Sequence, residues 1–221
     1  VFTLDHMAPA NNFFSANNQQ ACRVFARAHG AVLHDVDAGI GPHLLLEEGR
    51  VGPGEIAVGL DANLNLVGAV GALGLGLGPS DVAFALRTGK IWMEVPQAVR
   101  VIVDGELGLP VTAKDLALAL ARELGNEGAH HTVLEVEGPA LDRMTMDPRI
   151  TLSSMASGLG VQAILLVPTP AVLAWLERRA PGKKWNVFRV EEGAAWAKTF
   201  RLDASRLRPL AALPPVPGNP S

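Results

Sequence analysis

The sequence predicts an α/β protein. Segments of helical period alternate with short β-branched runs along nearly all of its 221 residues. The helical segments are bounded by capping residues at one end and by glycine or proline at the other. A composition of 48% hydrophobic and 19% charged residues is that of a globular chain able to bury one large core or two small ones.

The chain opens on a strand-like run, VFTLDH, at 1–6. Residues 17–29 (NNQQACRVFARAH) place apolar side chains at helical spacing and end at Gly30, a natural C-cap. Strands are expected over 31–36 and, with better alternation, over 55–60 (EIAVGL). Ser80 is positioned to cap a helix over 81–88 (DVAFALRT), which Gly89 closes. RVIVDGEL at 100–107 reads as a strand. TAKDLALALARELG at 112–125 is a helix in which Thr112 and Asp115 form a capping box and Gly125 ends the last turn. Strands follow over 131–136 and 161–167. A helix then starts at Thr169 and Pro170 and stops at Pro181-Gly182, and the proline-rich segment 207–221 is expected to be extended. The two α/β blocks meet near Pro96, so the expected domains are 1–96 and 97–212, with a tail over 213–221.

A net charge of -3 without a basic stripe argues against nucleic acid as a partner. The longest apolar run, 66–78, is interrupted by glycine and is shorter than the roughly 18–20 residues of a membrane span. The single cysteine, Cys22, falls inside a helical pattern, which excludes an internal disulfide and fits a reducing, cytoplasmic setting. No secretory leader precedes the first strand, and Val1 in place of Met suggests an excerpt of a longer polypeptide. The four tryptophans, Trp92, Trp175, Trp185 and Trp196, are expected as core or domain-edge anchors. Glu47-Glu48 and Lys183-Lys184 read as solvated surface. His130-His131 do not make a metal pair, because adjacent residues of a strand point apart.

The stretch GLDANLNLVGAVGALGLGLG at 59–78 invites a ligand-loop reading. As a dinucleotide fingerprint it lacks the glycine three residues after Gly76, where Pro79 stands. As a calcium loop, Asp61, Asn63 and Asn65 fit the first ligand positions. The obligatory glycine and glutamate, however, are replaced by Leu66 and Ala72. Close packing of backbone explains the glycines better.

Taken with its neighbours, the stretch fits a longer pattern: VFTLDH at 1–6, PHLLLEEGRVGPGEIAVGLD at 42–61, GAVGALGLGLGPSDVAFALRTGKIWMEVP at 68–96, VTAKD at 111–115, RITLSSMASGLG at 149–160 and PLAALPPVPGN at 209–219. In order and spacing these resemble the large subunit of the aconitase superfamily, of the 3-isopropylmalate dehydratase and homoaconitase type, over almost the whole chain. The resemblance implies aconitase-type α/β/α layered domains, here two α/β blocks without the cluster-bearing third domain. In working members it also implies dehydration and rehydration of a hydroxy-di- or tricarboxylate on a [4Fe-4S] cluster.

The family pattern carries Asp5 and His6, an Asp-His pair that arranges the substrate hydroxyl, although the same pair reads equally well as a structural hydrogen bond. Its next histidine is matched only by His43, one place late after Gly39-Ile40-Gly41-Pro42, and a partly buried structural histidine is the better reading. The family's Asp-Ser-His-Thr stands here as Asp61-Ala62-Asn63-Leu64. The aspartate remains, but the substrate-binding hydroxyl and the proton-carrying imidazole are gone. Asn63 can hydrogen-bond a substrate but cannot titrate near neutrality. The family's Thr-Leu-x-Asn-Met-Ala-x-Glu stands as Thr151 to Gly158, with Ser154 and Gly158 in place of the amide and the carboxylate. The three cluster cysteines would follow Ser221, and Cys22 alone cannot hold a cluster.

These departures imply a degenerate, non-catalytic relative with no metal ligands and no cofactor of its own. Asp5, His6, Asp61 and Asn63 remain as candidate substrate-binding residues. Such a chain would act by binding a small di- or tricarboxylate or a partner chain, either a swivel-domain small subunit or a cluster domain. The alternative is one piece of a hydro-lyase whose [4Fe-4S] domain comes from a missing segment or another chain.

Overall fold

The computed structural model describes residues 1–125, 131–188, 190–191 and 193–213. His130 and the end of the proline-rich segment, 214–221, lie outside the described residues. The chain divides into two units, Val1–Arg50 and Val51–Ser221, and no helix among the described residues is long and apolar enough to cross a membrane.

In the first unit, β1 (Phe2–Thr3) pairs in parallel with β2 (Leu33–His34). Between them runs α1, Phe13–Ala28. The helix begins four residues before the expected Asn17, because the Asn12 side chain accepts a hydrogen bond from the Ser15 amide at 2.9 Å. Phe13 and Phe14, in the first turn, are both exposed. They therefore add nothing to the amphipathic pattern from which the start was read. Cys22 is half-buried in this helix. A second helix, α2 (Gly41–Glu47), was not foreseen and starts on Gly41-Pro42. His43 lies on it, half-buried. Glu48 is not free surface: it pairs with His34 at 3.2 Å and with Arg50.

Arg23 clamps Asp35 in a bidentate pair, Nη2 to Oδ1 at 2.6 Å and Nε to Oδ2 at 2.8 Å, while the Val36 amide also donates to Asp35. The guanidinium hydrogen bond, and then the amide, hold the Asp35 carboxyl down at about 2. A carboxyl depressed in the folded state gives its stabilisation above the unfolded-state value of about 3.9 and loses it as pH falls toward 2. Acid titration followed by circular dichroism should therefore show Asp35→Asn abolishing part of the pH dependence between about 4 and 2 and leaving the region above pH 5 flat.

In the second unit, β3 (Ile56–Gly59) pairs in parallel with β4 (Leu73–Gly76), and a 3-10 segment, Ala62–Val70, connects them. α3 follows as Pro79–Thr88. Its N-cap is Gly78 rather than Ser80, because Pro79 takes the first helical position, where its missing amide costs nothing. Trp92, expected as a core or domain-edge anchor, is 89% exposed.

Four parallel strands then form one sheet in the order β7-β6-β5-β8: β5 (Gln97–Asp104), β6 (Thr132–Glu137), β7 (Ala163–Leu166) and β8 (Lys198–Asp203). The connections carry α4 (Ala113–Leu124), then α5 (Pro139–Asp142) and α6 (Met146–Ser154), and then α7 (Pro170–Glu177). Val99, Val101 and Val103 alternate along β5, with Val101 opposite Val136, so one face is apolar. That face and Leu116, Leu120 and Leu152 of the helices form a single core. β5 lies three residues earlier than expected, because Gly105 turns the chain at φ +74°, and a Cβ there would come within 2.7 Å of Asp203 Oδ1. The sequence reading also missed α5, α6 and β8 and ran α7 three residues too far.

The capping box of α4 is present as read. The Thr112 amide donates to Asp115 Oδ2 at 2.7 Å, and Oδ1 of the same carboxylate accepts from the Leu210 amide at 2.7 Å. One side chain thus caps the helix and ties down the segment that follows the last strand. Those amides hold the Asp115 carboxyl below its ordinary value, Leu210 contributing most. Thr112→Ala should lower stability by about 1 kcal/mol in denaturant titration.

Candidate functional site

The candidate residues fall in both units. In the first, Asp5 is bonded on both oxygens: Oδ2 accepts from the Gly41 amide at 2.6 Å, and Oδ1 lies 3.0 Å from His6 Nδ1. Asp5 therefore fixes the orientation of the imidazole and at the same time holds the start of α2 against β1. Only glycine allows this approach, since a Cβ at position 41 would lie 2.4 Å from Thr3 Oγ1. His6 itself is exposed. His43 sits two residues beyond Gly41 on α2, and no hydrogen bond or ion pair joins it to the Asp5–His6 pair.

In the second unit, Asp61 is the N-cap of the 3-10 segment, and its Oδ1 accepts from the Asn63 amide at 2.8 Å. The aspartate is thus committed to a backbone turn, while the side chains of Ala62 and Asn63 are exposed. From Leu64 to Val70 every residue is buried. The glycines of the tract explain how. A Cβ at Gly68 would lie 2.0 Å from the Ile164 carbonyl oxygen, and one at Gly74 would lie 2.0 Å from that of Leu64. This tract is a backbone-packing device, as its sequence suggested.

The second motif of this unit forms α6 and the turns after it. The Ser153 hydroxyl donates to Leu66 O at 2.8 Å, so α6 lies directly against the 3-10 segment. At Ser154, the hydroxyl donates back to Thr151 O of its own helix at 2.9 Å. Gly158 is exposed, and its nearest neighbour for a Cβ is Met155 O at 3.5 Å, ordinary contact with room for a side chain. None of Ala62, Asn63, Ser154 or Gly158 carries a group that titrates near neutrality.

Sequence reasoning passed over Arg149, which begins the second motif. It is fully buried, and its Nε donates to Ala69 O at 2.8 Å while Nη2 donates to Val167 O at 2.8 Å and Leu166 O at 3.2 Å. Burial lowers the guanidinium to about 10, still charged at neutral pH. The signal available in the sequence was only an arginine between a proline and an apolar run, which reads as surface.

The described residues thus form parallel α/β sheets that carry an Asp-His pair in the first unit and an Asp-led turn in the second. The aconitase family model (aconitate hydratase) matches residues 5–220. The chain is 36% identical to the 3-isopropylmalate dehydratase large subunit of Elusimicrobium minutum over 97% of its own length, and 35% identical to that of Heliobacterium modesticaldum over 99%. It is also 37% identical to large subunit 1 of Deinococcus radiodurans over 96%. This chain belongs to the aconitase family. It spans about half the length of the curated relatives it matches: 51%, 52% and 47% of these three.

The family uses a [4Fe-4S] cluster, which cysteine thiolates hold. The residues of this chain do not fit that group, because its only thiol is Cys22, half-buried in α1.

Proposed function

We propose that this chain is a degenerate, non-catalytic member of the aconitase and 3-isopropylmalate dehydratase large-subunit family. It keeps the family's α/β/α layering and acts in the cytoplasm by binding a small di- or tricarboxylate or a partner chain. The observation that carries this reading is internal to the fold. Ser154 spends its hydroxyl on its own helix, Gly158 offers no side chain, and Ala62 and Asn63 offer no imidazole. Loss of one catalytic group commonly costs orders of magnitude in rate, so loss of several together leaves the dehydration without the imidazole and the carboxylate that those two motifs supply in the family. The residual polar groups, His6, Asp61 and Asn63, can still orient a ligand by hydrogen bonds. A small-subunit partner is supported by the relatives' designation as large subunits.

The test is thermal unfolding of the purified chain with 2-isopropylmaleate or citrate. A midpoint that rises with ligand concentration, and a rise that His6→Ala or Asn63→Ala reduces, supports carboxylate binding. No rise with either acid, and co-purification of no partner, would remove the binding role.

A second reading has its own observation. The chain covers about half of its relatives' length, so it could serve as one part of a hydro-lyase whose [4Fe-4S] ligands come from a further segment or another chain. That reading requires other residues to replace the lost imidazole and carboxylate. Restoring them by the fourfold change Ala62→Ser, Asn63→His, Ser154→Asn and Gly158→Glu should leave stability within about 1 kcal/mol, because these positions are exposed or half-buried and unstrained. The same variant alone should show no hydration of isopropylmaleate.

A further inference from the structure

A cleft of about 580 Å³ opens in the second unit beyond the C-terminal ends of β5 and β6, between the first turn of α4 and the α5–α6 connection. None of Asp5, His6, His43, Asp61, Ala62, Asn63, Ser154 or Gly158 lines it, although Thr151 and residues 111–114 of the motifs quoted above do. Ligands of open α/β sheets gather at this end of the strands, and the volume lies in the range of small-molecule sites.

Its floor is apolar and buried: Val111, Ala113, Ala140 and Met144 are each no more than 9% exposed. Its rim carries two charges of each sign. Glu106 and Arg143 are ion-paired and neutralise one another. Lys114, from α4, and Asp147, from α6, are both exposed and have no ion-pair partner among the described residues. Leu109 is 99% exposed and lies in sequence between Leu107 and Val111, both of which line the cleft.

We propose that this cleft binds a small apolar α-amino acid as its zwitterion. The carboxylate meets Lys114, the ammonium meets Asp147, and the aliphatic side chain lies on the floor of Val111, Ala140 and Met144. A ligand of one charge sign faces a like charge at one side of the rim, and a plain hydrocarbon leaves both rim charges without partners as it displaces their water. A zwitterion with an aliphatic body meets both charges and the floor. This inference does not depend on whether the remnant positions bind a carboxylate.

Calorimetric titration of the purified chain with L-norvaline tests it. Valerate, which lacks the ammonium, and butylamine, which lacks the carboxylate, are titrated in parallel. For a ligand of this size a Kd on the order of 1 mM is expected. Valerate and butylamine should each bind about fivefold more weakly, the scale of an exposed ion pair. Lys114→Ala and Asp147→Ala should each weaken norvaline by about the same factor, while Lys90→Ala, an exposed lysine outside the cleft, should not. Filling the floor with Ala140→Leu should abolish binding. Absence of saturable norvaline binding below about 50 mM overturns the proposal. So does equal affinity for all three probes, or unchanged affinity in both rim variants with intact thermal midpoints.

Discussion

Arg149→Met should lower the stability of the second unit by about 3 kcal/mol or more, read as a fall of roughly 10 °C in the thermal midpoint. The guanidinium donates to Ala69 O, at the end of the 3-10 segment, and to Leu166 O and Val167 O, at the end of β7, from a single side chain. Methionine fills much of the volume but donates nothing, so three buried carbonyls lose this donor together. Each loss costs about 1–3 kcal/mol where no water can enter. The cost of desolvating the charge is recovered in the variant, which is why the expected loss lies nearer the lower sum. Arg149→Lys keeps a charge but has a compact ammonium in place of a planar fork, and should fall between the two. A midpoint within about 2 °C of the native one for Arg149→Met would mean that the carbonyls are satisfied otherwise.

Gly68→Ala should destabilise by about 3 kcal/mol or prevent folding, though it adds a single methyl group. The added Cβ would fall 2.0 Å from the Ile164 carbonyl oxygen and 3.0 Å from its carbonyl carbon. Both are backbone atoms of β7, a strand paired along its length with β6, so neither side of the contact can yield cheaply. Gly74→Ala meets the Leu64 oxygen at the same distance and should behave alike. Gly158→Ala, whose nearest neighbour is at 3.5 Å, is the control and should lie within about 0.5 kcal/mol of the native chain. If Gly68→Ala and Gly158→Ala proved equally harmless in denaturant titration, the glycine tract would not be a packing device.

Much of the α/β alternation was legible because its signals are local. Thr112, Asp115 and Gly125 frame α4 by side-chain and backbone chemistry within a single helix, and Thr169-Pro170 does the same for the start of α7. The missed elements lack such signals. α6 begins at Met146 with no side-chain cap bond and holds buried Arg149 and Ser153 on the side that an amphipathic pattern would make apolar. From Leu64 to Val70 the 3-10 segment is buried all round, with Asn65 among its apolar residues, so no periodicity marks it. β8 reads KTFRLD, too polar to stand out; only Phe200 and Leu202 turn toward the core. At the candidate site the residue types were legible, since Asp61, Asn63, Ser154 and Gly158 sit inside recognisable motifs. What each side chain spends its hydrogen bonds on was not: the return of Ser154 to Thr151 and the double role of Asp5 appear only in three dimensions.

The most direct measurement is anaerobic reconstitution of the purified chain with iron and sulfide, followed by its visible absorption and its hydration of 2-isopropylmaleate. A non-catalytic scaffold with one thiol gives a colourless protein and no turnover. A bound cluster chromophore accompanied by hydration of that acid would contradict the account.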